Sequence, residues 1–497
     1  MSTKSRPRTA RGSKISERVV QFRDAWSCTG AALLALCFFG SSLYIASKRL
    51  FWFDEIATVL VARLPSVPTM WDALVGGADL LPLPYYLLVR FSETMFGRGE
   101  LAARLPSLVA VTIGLLVTFD SARRITNGLH GLIAQTLLMC SFLPFYGYEA
   151  RPYGILFMFS ALLIWSWLSG DRATVRTAAA SGLTMFTATL FHYYAILCLV
   201  PLAAHDALHL RRPSRSLLAT CLGSGFALIL LFPQVLVGHH TGGSGNFWAR
   251  PSLSKLQYIV PDFFPTGMFL ASLVILLVVV ARHQSAVAPP SDAERLGWYF
   301  LLIPFAGYIL AVFVTGAFYN RYMIGTLPGV AVAFACLMQR YFGNYRLVPC
   351  GVVVLFAAFG IVHLFSKVRN PDRIESFGDQ QRATRELIAW ENRFLQDGKP
   401  YTAVAVGNLV WLEAWFYSRH PERYIAVLER SDSAWALGRY YPLMRFWTLN
   451  DLKRHARECA IALSIPGGLQ SINDSDNISV TLRMEEPVKI YYVKYLK

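Results

Sequence analysis

Long apolar stretches recur along the first three quarters of the chain, separated by short polar connectors. They cover 29–47, 101–121, 129–148, 152–170, 175–191, 193–208, 216–238, 266–281, 297–318, 322–339 and 347–366. At a helical rise of 1.5 Å per residue, stretches of this kind match a hydrocarbon core of about 30 Å. The pattern predicts eleven membrane-crossing helices. A further segment, LPLPYYLLVRFSETMFG at 81–97, is apolar but holds Pro82, Pro84, Arg90 and Glu93. It is read as an amphipathic helix lying along the interface rather than as a span.

Charge decides between these readings. With the N-terminus cytoplasmic and 81–97 not crossing, the cytoplasmic connectors hold Arg123 and Arg124; Arg172 and Arg176; Arg211, Arg212 and Arg215; Arg282 and Arg295; and Arg340 and Arg346. The positive-inside rule is then obeyed in loop after loop. If 81–97 crossed, the same arginines would lie outside. Lys48 and Arg49, at the outer end of the first span, are the exception.

After residue 366 the pattern changes. Strands are predicted at 401–406, 423–428, 444–449, 460–465, 478–484 and 489–495, and helices at 379–396, 409–419 and 451–459. This alternation predicts a small α/β domain, and an odd number of spans places it outside the cytoplasm. The expected organisation is a basic cytoplasmic tail (1–27), a transmembrane region (28–366) whose first outer loop (50–100) carries interfacial helices, and the extracytoplasmic α/β domain (367–497).

Composition agrees with this picture. The 497 residues are 54% hydrophobic and 16% charged, with mean hydropathy +0.40, which sets the chain apart from ordinary soluble proteins. The net charge of +16 is concentrated in part in the tail, where Lys4, Arg6, Arg8, Arg11, Lys14, Arg18 and Arg23 face only Glu17 and Asp24. An apolar span follows directly, so the tail reads as a membrane anchor and not as a nucleic-acid arm. No small-residue cleavage site follows the first span, which is read as retained. The eight cysteines lie mostly in or beside apolar stretches and have neither a disulfide framework nor zinc-ligand spacing.

Residues able to do chemistry gather on the predicted outer face. Asp54 and Glu55, in FWFDE, follow the first span. They are either solvated loop acids or a base beside an apolar path. GYEARPYG supplies Glu149, Arg151 and Tyr153 at a span boundary. This is either an internal Glu–Arg pair or a cation and a phenol aimed at a phosphate. His192 sits at the apex of FHYYA, open to structural, metal, phosphate or proton-transfer roles. Arg321, in FYNRY, is an interfacial anchor or a partner for an anionic headgroup. Arg104, in ELAARLPS, is set to pair with Glu100 one helical turn away.

The ordered set of motifs resembles a known family. DE after the first span, PYYLLVR, ELAARLPS, EARPYG, HYYA and a late NRY are similar to bacterial glycosyltransferases related to protein O-mannosyltransferases and to the aminoarabinose transferase of lipid A. The resemblance covers roughly 29–340. It implies the GT-C membrane fold and transfer of a sugar from a polyprenyl-phosphate donor to a glycolipid, glycan or protein hydroxyl outside the cytoplasm, usually with inversion. It points to Asp54 as the base, with Glu55 beside it to position Asp54, bind acceptor or meet a metal. Arg104, Arg151 and Arg321 are implied as stabilisers of the leaving lipid phosphate, and Tyr85, Tyr86 and Tyr153 as donors, with His192 in the same donor site. A divalent metal would need Glu55, Asp79 and His192 to come together. Relatives carry His, Asn or Lys before Pro-Pro-Leu; here Leu81 stands at that position, and Asp79 is the nearby side chain that could substitute. The competing class is a transporter or flippase of lipid-linked sugars. Such proteins commonly show internal repeats and interrupted helices at mid-membrane depth, and no repeated halves are visible in this sequence.

Overall fold

The computed structural model describes residues 10–209, 213–243, 249–264, 288–343, 345, 347–371, 378–396, 403–406, 410–428, 435–448, 451, 458–463, 478–484 and 489–495. By packing, the chain divides into two compact units. One is Met1–Tyr44 with Leu105–Phe365, and the other is Ile45–Arg104 with Ser366–Lys497. Residues 45–104 therefore belong to the same unit as the C-terminal region, which is distant in sequence.

The first unit is helical. It includes most of α1 (Ala10–Lys48) and α5 (Glu100–Ile125), then α6 (Gly128–Met139), α7 (Tyr153–Ser169), α8 (Val175–Phe191), α9 (Leu199–His209), α10 (Arg215–Leu230) and α11 (Phe232–Gly243). Helices Asp292–Tyr299, Leu302–Leu310, Thr326–Phe342 and Leu347–Arg369 complete it. Among the described residues four helices are long and apolar enough to cross a membrane alone, and five if the pair Arg215–Leu230 and Phe232–Gly242, bent by 79°, counts as one span. Eleven were expected. The stretch 266–281 lies outside the described residues, and several others fold as shorter pieces. The stretch 129–148 becomes α6 and a 3₁₀ turn at Leu143–Gly147. The stretch 193–208 begins as a 3₁₀ turn, Tyr193–Cys198, and continues as α9.

Small residues bring these helices together. A side chain at Gly223 of α10 would collide with the Gly182 carbonyl oxygen of α8. A Cβ at Gly297 would lie 2.5 Å from the Gly329 carbonyl oxygen. Where lipid offers no hydrophobic contrast, such close backbone approach supplies the packing.

The second unit joins three short helices to a sheet. The helices are α2 (Phe53–Ala62), α3 (Val67–Val75) and α4 (Leu83–Phe96). Helix α4 has 14 residues, about 21 Å at 1.5 Å per residue, too short for the hydrocarbon core. Its charges are used within the unit: Glu93 accepts from Arg63 at 2.6 and 3.0 Å, and Arg90 donates to the Leu64 and Pro65 carbonyls at 3.0 and 3.1 Å.

The sheet has β1 (Ala403–Val406), β2 (Tyr424–Leu428), β3 (Arg445–Thr448), β4 (Glu458–Leu463), β5 (Ile478–Met484) and β6 (Lys489–Tyr495). Its order is β3-β2-β1-β4-β6-β5. The first four strands are parallel neighbours, and β6 runs antiparallel to β4 and β5. Helix Gly378–Gln396 precedes β1, and helix Val410–Tyr417 connects β1 to β2. All six expected strands are present, within two residues at each end. The expected helix at 451–459 falls almost wholly outside the described residues.

Candidate functional site

In the second unit, α2 carries both acids in its first turn. Glu55 is fully buried, while Asp54 is half-buried. A carboxylate in a first helical turn is favoured by the positive end of the helix dipole, and Glu55 in the third position reaches back to accept from the Trp52 backbone N–H at 3.2 Å, half of a capping box. Its other partner is Arg104. Arg104 Nε donates to Glu55 Oε1 at 2.7 Å and Nη2 to Oε2 at 2.6 Å. Nη1 donates to the Ala46 and Arg49 carbonyls, and Nη2 also to the Leu50 carbonyl, all at 2.8 Å. A guanidinium has five N–H groups, and all five are committed here. Phe51 stacks on this pair, 5.0 Å from the guanidinium carbon.

Two expectations change at this point. Arg104 does not pair with Glu100, whose carboxylate instead accepts from the Tyr417 hydroxyl at 2.9 Å. Arg104 also has all five N–H groups engaged within its unit and none left for a phosphate, and Glu55 is enclosed by Arg104 and the Trp52 amide. Tyr85 and Tyr86 on α4 are completely buried, with ring centroids 6.3 Å apart. Leu81 is buried, and Asp79 accepts from its neighbour's amide, Leu80 N, at 2.7 Å.

In the first unit, Tyr153, His192 and Arg321, far apart in sequence, meet at helix ends. Tyr153 opens α7 after Pro152, where the fixed proline φ suits a helix start. His192 ends α8 in extended conformation, and its Nδ1 accepts from the Tyr194 backbone N–H at 3.2 Å, starting the next 3₁₀ turn. Arg321 lies in the 3₁₀ turn Asn320–Met323. Its guanidinium carbon sits 5.3 Å from the Tyr153 ring, 5.2 Å from Tyr319 and 5.9 Å from Tyr322, within cation–π range. The His192 ring is 5.5 Å from Tyr153 and 6.0 Å from Tyr322. Arg151, Tyr153, His192 and Arg321 are all buried, and the Arg151 backbone carbonyl accepts from Ser107 Oγ at 2.6 Å.

Electrostatics fixes the state of His192, which lies in the connector between two helices. Burial first, then the positive charges of Arg151 and Arg321, push its imidazole down to about 3. It is therefore neutral, and because Nδ1 accepts, Nε2 carries the proton. Among the described residues this buried N–H has no protein acceptor. The Arg321 guanidinium and the imidazole N–H lie among tyrosines, and the charge of Arg151 reaches His192, an arrangement suited to an anion.

Tyr146, in the segment Leu143–Gly147, and Tyr194 were not singled out from the sequence. Tyr146 packs 5.4 Å from Tyr153 and Tyr194 packs 4.9 Å from Tyr322. The repeated aromatics in FYGYEARPY and FHYY were the signal. No group of three or more His, Cys, Asp or Glu among the described residues could hold a metal ion.

The architecture is that of a GT-C membrane glycosyltransferase fold. The family model for dolichyl-phosphate-mannose-protein mannosyltransferases matches residues 81–236. The fold is similar to that of ArnT from Cupriavidus metallidurans bound to undecaprenyl phosphate, with a TM-score of 0.59 and 13% identity over 94% of this chain and 98% of that one. The apo state of the same protein aligns over the same shares, with a TM-score of 0.57 and 13% identity. An oligosaccharyltransferase from Archaeoglobus fulgidus, in complex with zinc and sulfate, aligns over 77% of this chain and 61% of its own, with 13% identity and a TM-score of 0.40. No curated protein matches by sequence. The chain thus has a GT-C fold like that of ArnT, and the segment matched by the family model contains α4, Arg104, Arg151, Tyr153 and His192.

Proposed function

We propose that this protein transfers a sugar from a polyprenyl-phosphate donor to a hydroxyl acceptor on the outer face of the cytoplasmic membrane, with inversion. The carrying observation is the buried meeting of Arg151, Tyr153, His192 and Arg321, which supplies positive charge and N–H and O–H donors. The superfamily's fold and the family match over 81–236 support the same reading. The acceptor hydroxyl attacks the anomeric carbon. A new C–O bond forms, the bond to the phosphate oxygen breaks, and the lipid phosphate leaves with the electron pair. Arg151, Arg321, His192 Nε2–H and the Tyr153 hydroxyl stabilise that leaving charge. Asp54, the half-buried acid of the DE pair, takes the hydroxyl proton. The acceptor is a glycolipid, a glycan or a protein.

Purified protein in detergent, given undecaprenyl-phosphate sugars, is expected to release undecaprenyl phosphate. Asp54→Asn is expected to lower turnover about 10²- to 10⁴-fold while the lipid still binds. Undiminished turnover in Asp54→Asn removes Asp54 as the base, and binding without release in the wild type favours a carrier. Comparing envelope lipids and glycans of a deletion strain with those of its parent, by mass spectrometry, identifies the acceptor. Cysteine labelling tests the sidedness: Gly245→Cys is expected to react from outside and Pro213→Cys only from inside, and the reverse pattern inverts the topology.

A further inference from the structure

The late motif FYNRY holds one polar residue that the chemistry above does not use, Asn320. It opens the 3₁₀ turn Asn320–Met323, directly before Arg321. The first N–H groups of a helix have no acceptor within it, and Asn320 supplies one. Its Oδ1 accepts from the Arg321 backbone N–H at 2.7 Å. Its Nδ2 donates to Asp262 Oδ2 at 2.8 Å. A carboxylate only accepts, so Asp262 decides which end of the Asn320 amide faces it and leaves the oxygen for Arg321.

Asp262 is itself held in place. It lies in the short helix Ile259–Phe263, and its backbone N–H donates to the Tyr258 carbonyl at 2.8 Å. The next residue, Phe263, is buried, and its carbonyl accepts from the Phe142 N–H at 2.8 Å, where the turn Leu143–Gly147 begins. At the other end of the same segment, the carbonyl of the buried Ala249 accepts from the Phe318 N–H at 2.6 Å, two residues before Asn320. Residues 249–263 are thus tied at one end to the approach to Arg321 and at the other to the turn that carries Tyr146.

We propose that Asp262 is a positioning residue for Arg321, acting through the Asn320 side chain. This rests on Arg321 as a cation for the leaving lipid phosphate. With its N–H held by Asn320, Arg321 is fixed at the backbone, while the Tyr153, Tyr319 and Tyr322 rings fix its guanidinium. Asp262 is exposed and Asn320 half-buried, so their bond adds little to global stability. Direction is another matter. A donor helps a developing charge only when it is already aimed, and a misplacement of about 1 Å costs about a hundredfold in rate.

The test uses the full chain in detergent and reads release of undecaprenyl phosphate from undecaprenyl-phosphate sugar. Asp262→Ala removes the acceptor, and Asn320→Asp sets two carboxylates face to face. Each is expected to lower kcat about tenfold, with denaturant unfolding unchanged. Asp262→Asn combined with Asn320→Asp exchanges donor and acceptor. The amide at position 262 then meets a carboxylate, whose second oxygen takes the Arg321 N–H. This pair is expected to bring kcat back to within about threefold of wild type. Protection of the Arg321 amide from hydrogen exchange, which needs no substrate, is expected to fall in Asp262→Ala and to return in the exchanged pair. Single variants with wild-type kcat, an exchanged pair no better than Asn320→Asp, unaltered amide protection in Asp262→Ala, or a kcat loss matched by lost unfolding stability overturns the proposal. Arg321→Gln is read separately. Normal turnover in that variant removes the phosphate reading, whereas a loss there with wild-type kcat in Asp262→Ala removes only the positioning role.

Discussion

Arg104 and Arg321 are both buried arginines beside aromatic rings, and they are built for different ends. Arg104 gives all five N–H groups to a carboxylate and three carbonyls of its own unit. Arg321 lies over the faces of Tyr153, Tyr319 and Tyr322, with a neutral histidine and a second cation close by. Residue type and burial are the same; the surroundings differ. An arginine closed by a carboxylate and carbonyls holds a fold, whereas an arginine among rings and like charges forms a positive field that an anion can complete.

The sharpest way to break this comparison is to remove each cation in turn. Arg104→Gln leaves Glu55 buried beside an amide, and loss of one partner from a buried ion pair costs about 3–5 kcal/mol. Thermal or denaturant unfolding in detergent is expected to show that loss. Arg321→Gln is expected to leave unfolding nearly unchanged and to lower turnover about 10²- to 10³-fold, the scale of one lost donor at a developing oxyanion. If both variants lose stability alike, Arg321 is structural and the distinction collapses.

The smallest effect concerns His192. Its imidazole is held neutral down to about 3, against an ordinary value near 6.5. The unfolded chain takes up the proton first, so the stability it contributes is full above about 6.5 and declines as pH falls towards 3, by up to about 1.4 kcal/mol per pH unit. His192→Asn is expected to flatten unfolding stability between pH 6.5 and 4. An unchanged acid slope in that variant means that His192 titrates as an exposed histidine would.

Much of this was legible in the sequence, and what was not has a physical cause. The strands of the C-terminal region were readable because strand alternation and turn residues are local signals. The grouping of Arg151, Tyr153, His192 and Arg321 was foreshadowed by aromatics flanking charges at span ends. The partner of Arg104 was not legible. A neighbour four residues away, Glu100, competed with Glu55, which lies 49 residues distant, and sequence spacing favours the near one. Tyr417, the partner of Glu100, was hidden in LVWLEAWFYSR, read only as a helix over 409–419. Hydropathy does not register the 3₁₀ turns and bends that break long apolar runs, which is why stretches such as 129–148 and 193–208 fold as shorter pieces.

The second unit is assembled from two distant parts of the chain, Ile45–Arg104 and Ser366–Lys497, with Leu105–Phe365 between them. A ribosome adding about 5–20 residues per second needs roughly 13–50 s to make the intervening stretch. Through that interval the segment bearing Asp54 has been synthesised but its clamp has not. Gln381, Arg385 and Tyr417, which hold the backbone of Leu50, Lys48 and Phe51, emerge only after the helix Leu347–Arg369. The turn that bears Asp54 and Glu55 is thus completed last, so a half-made chain holds the residues of the Arg321 cluster before that turn has its C-terminal partners.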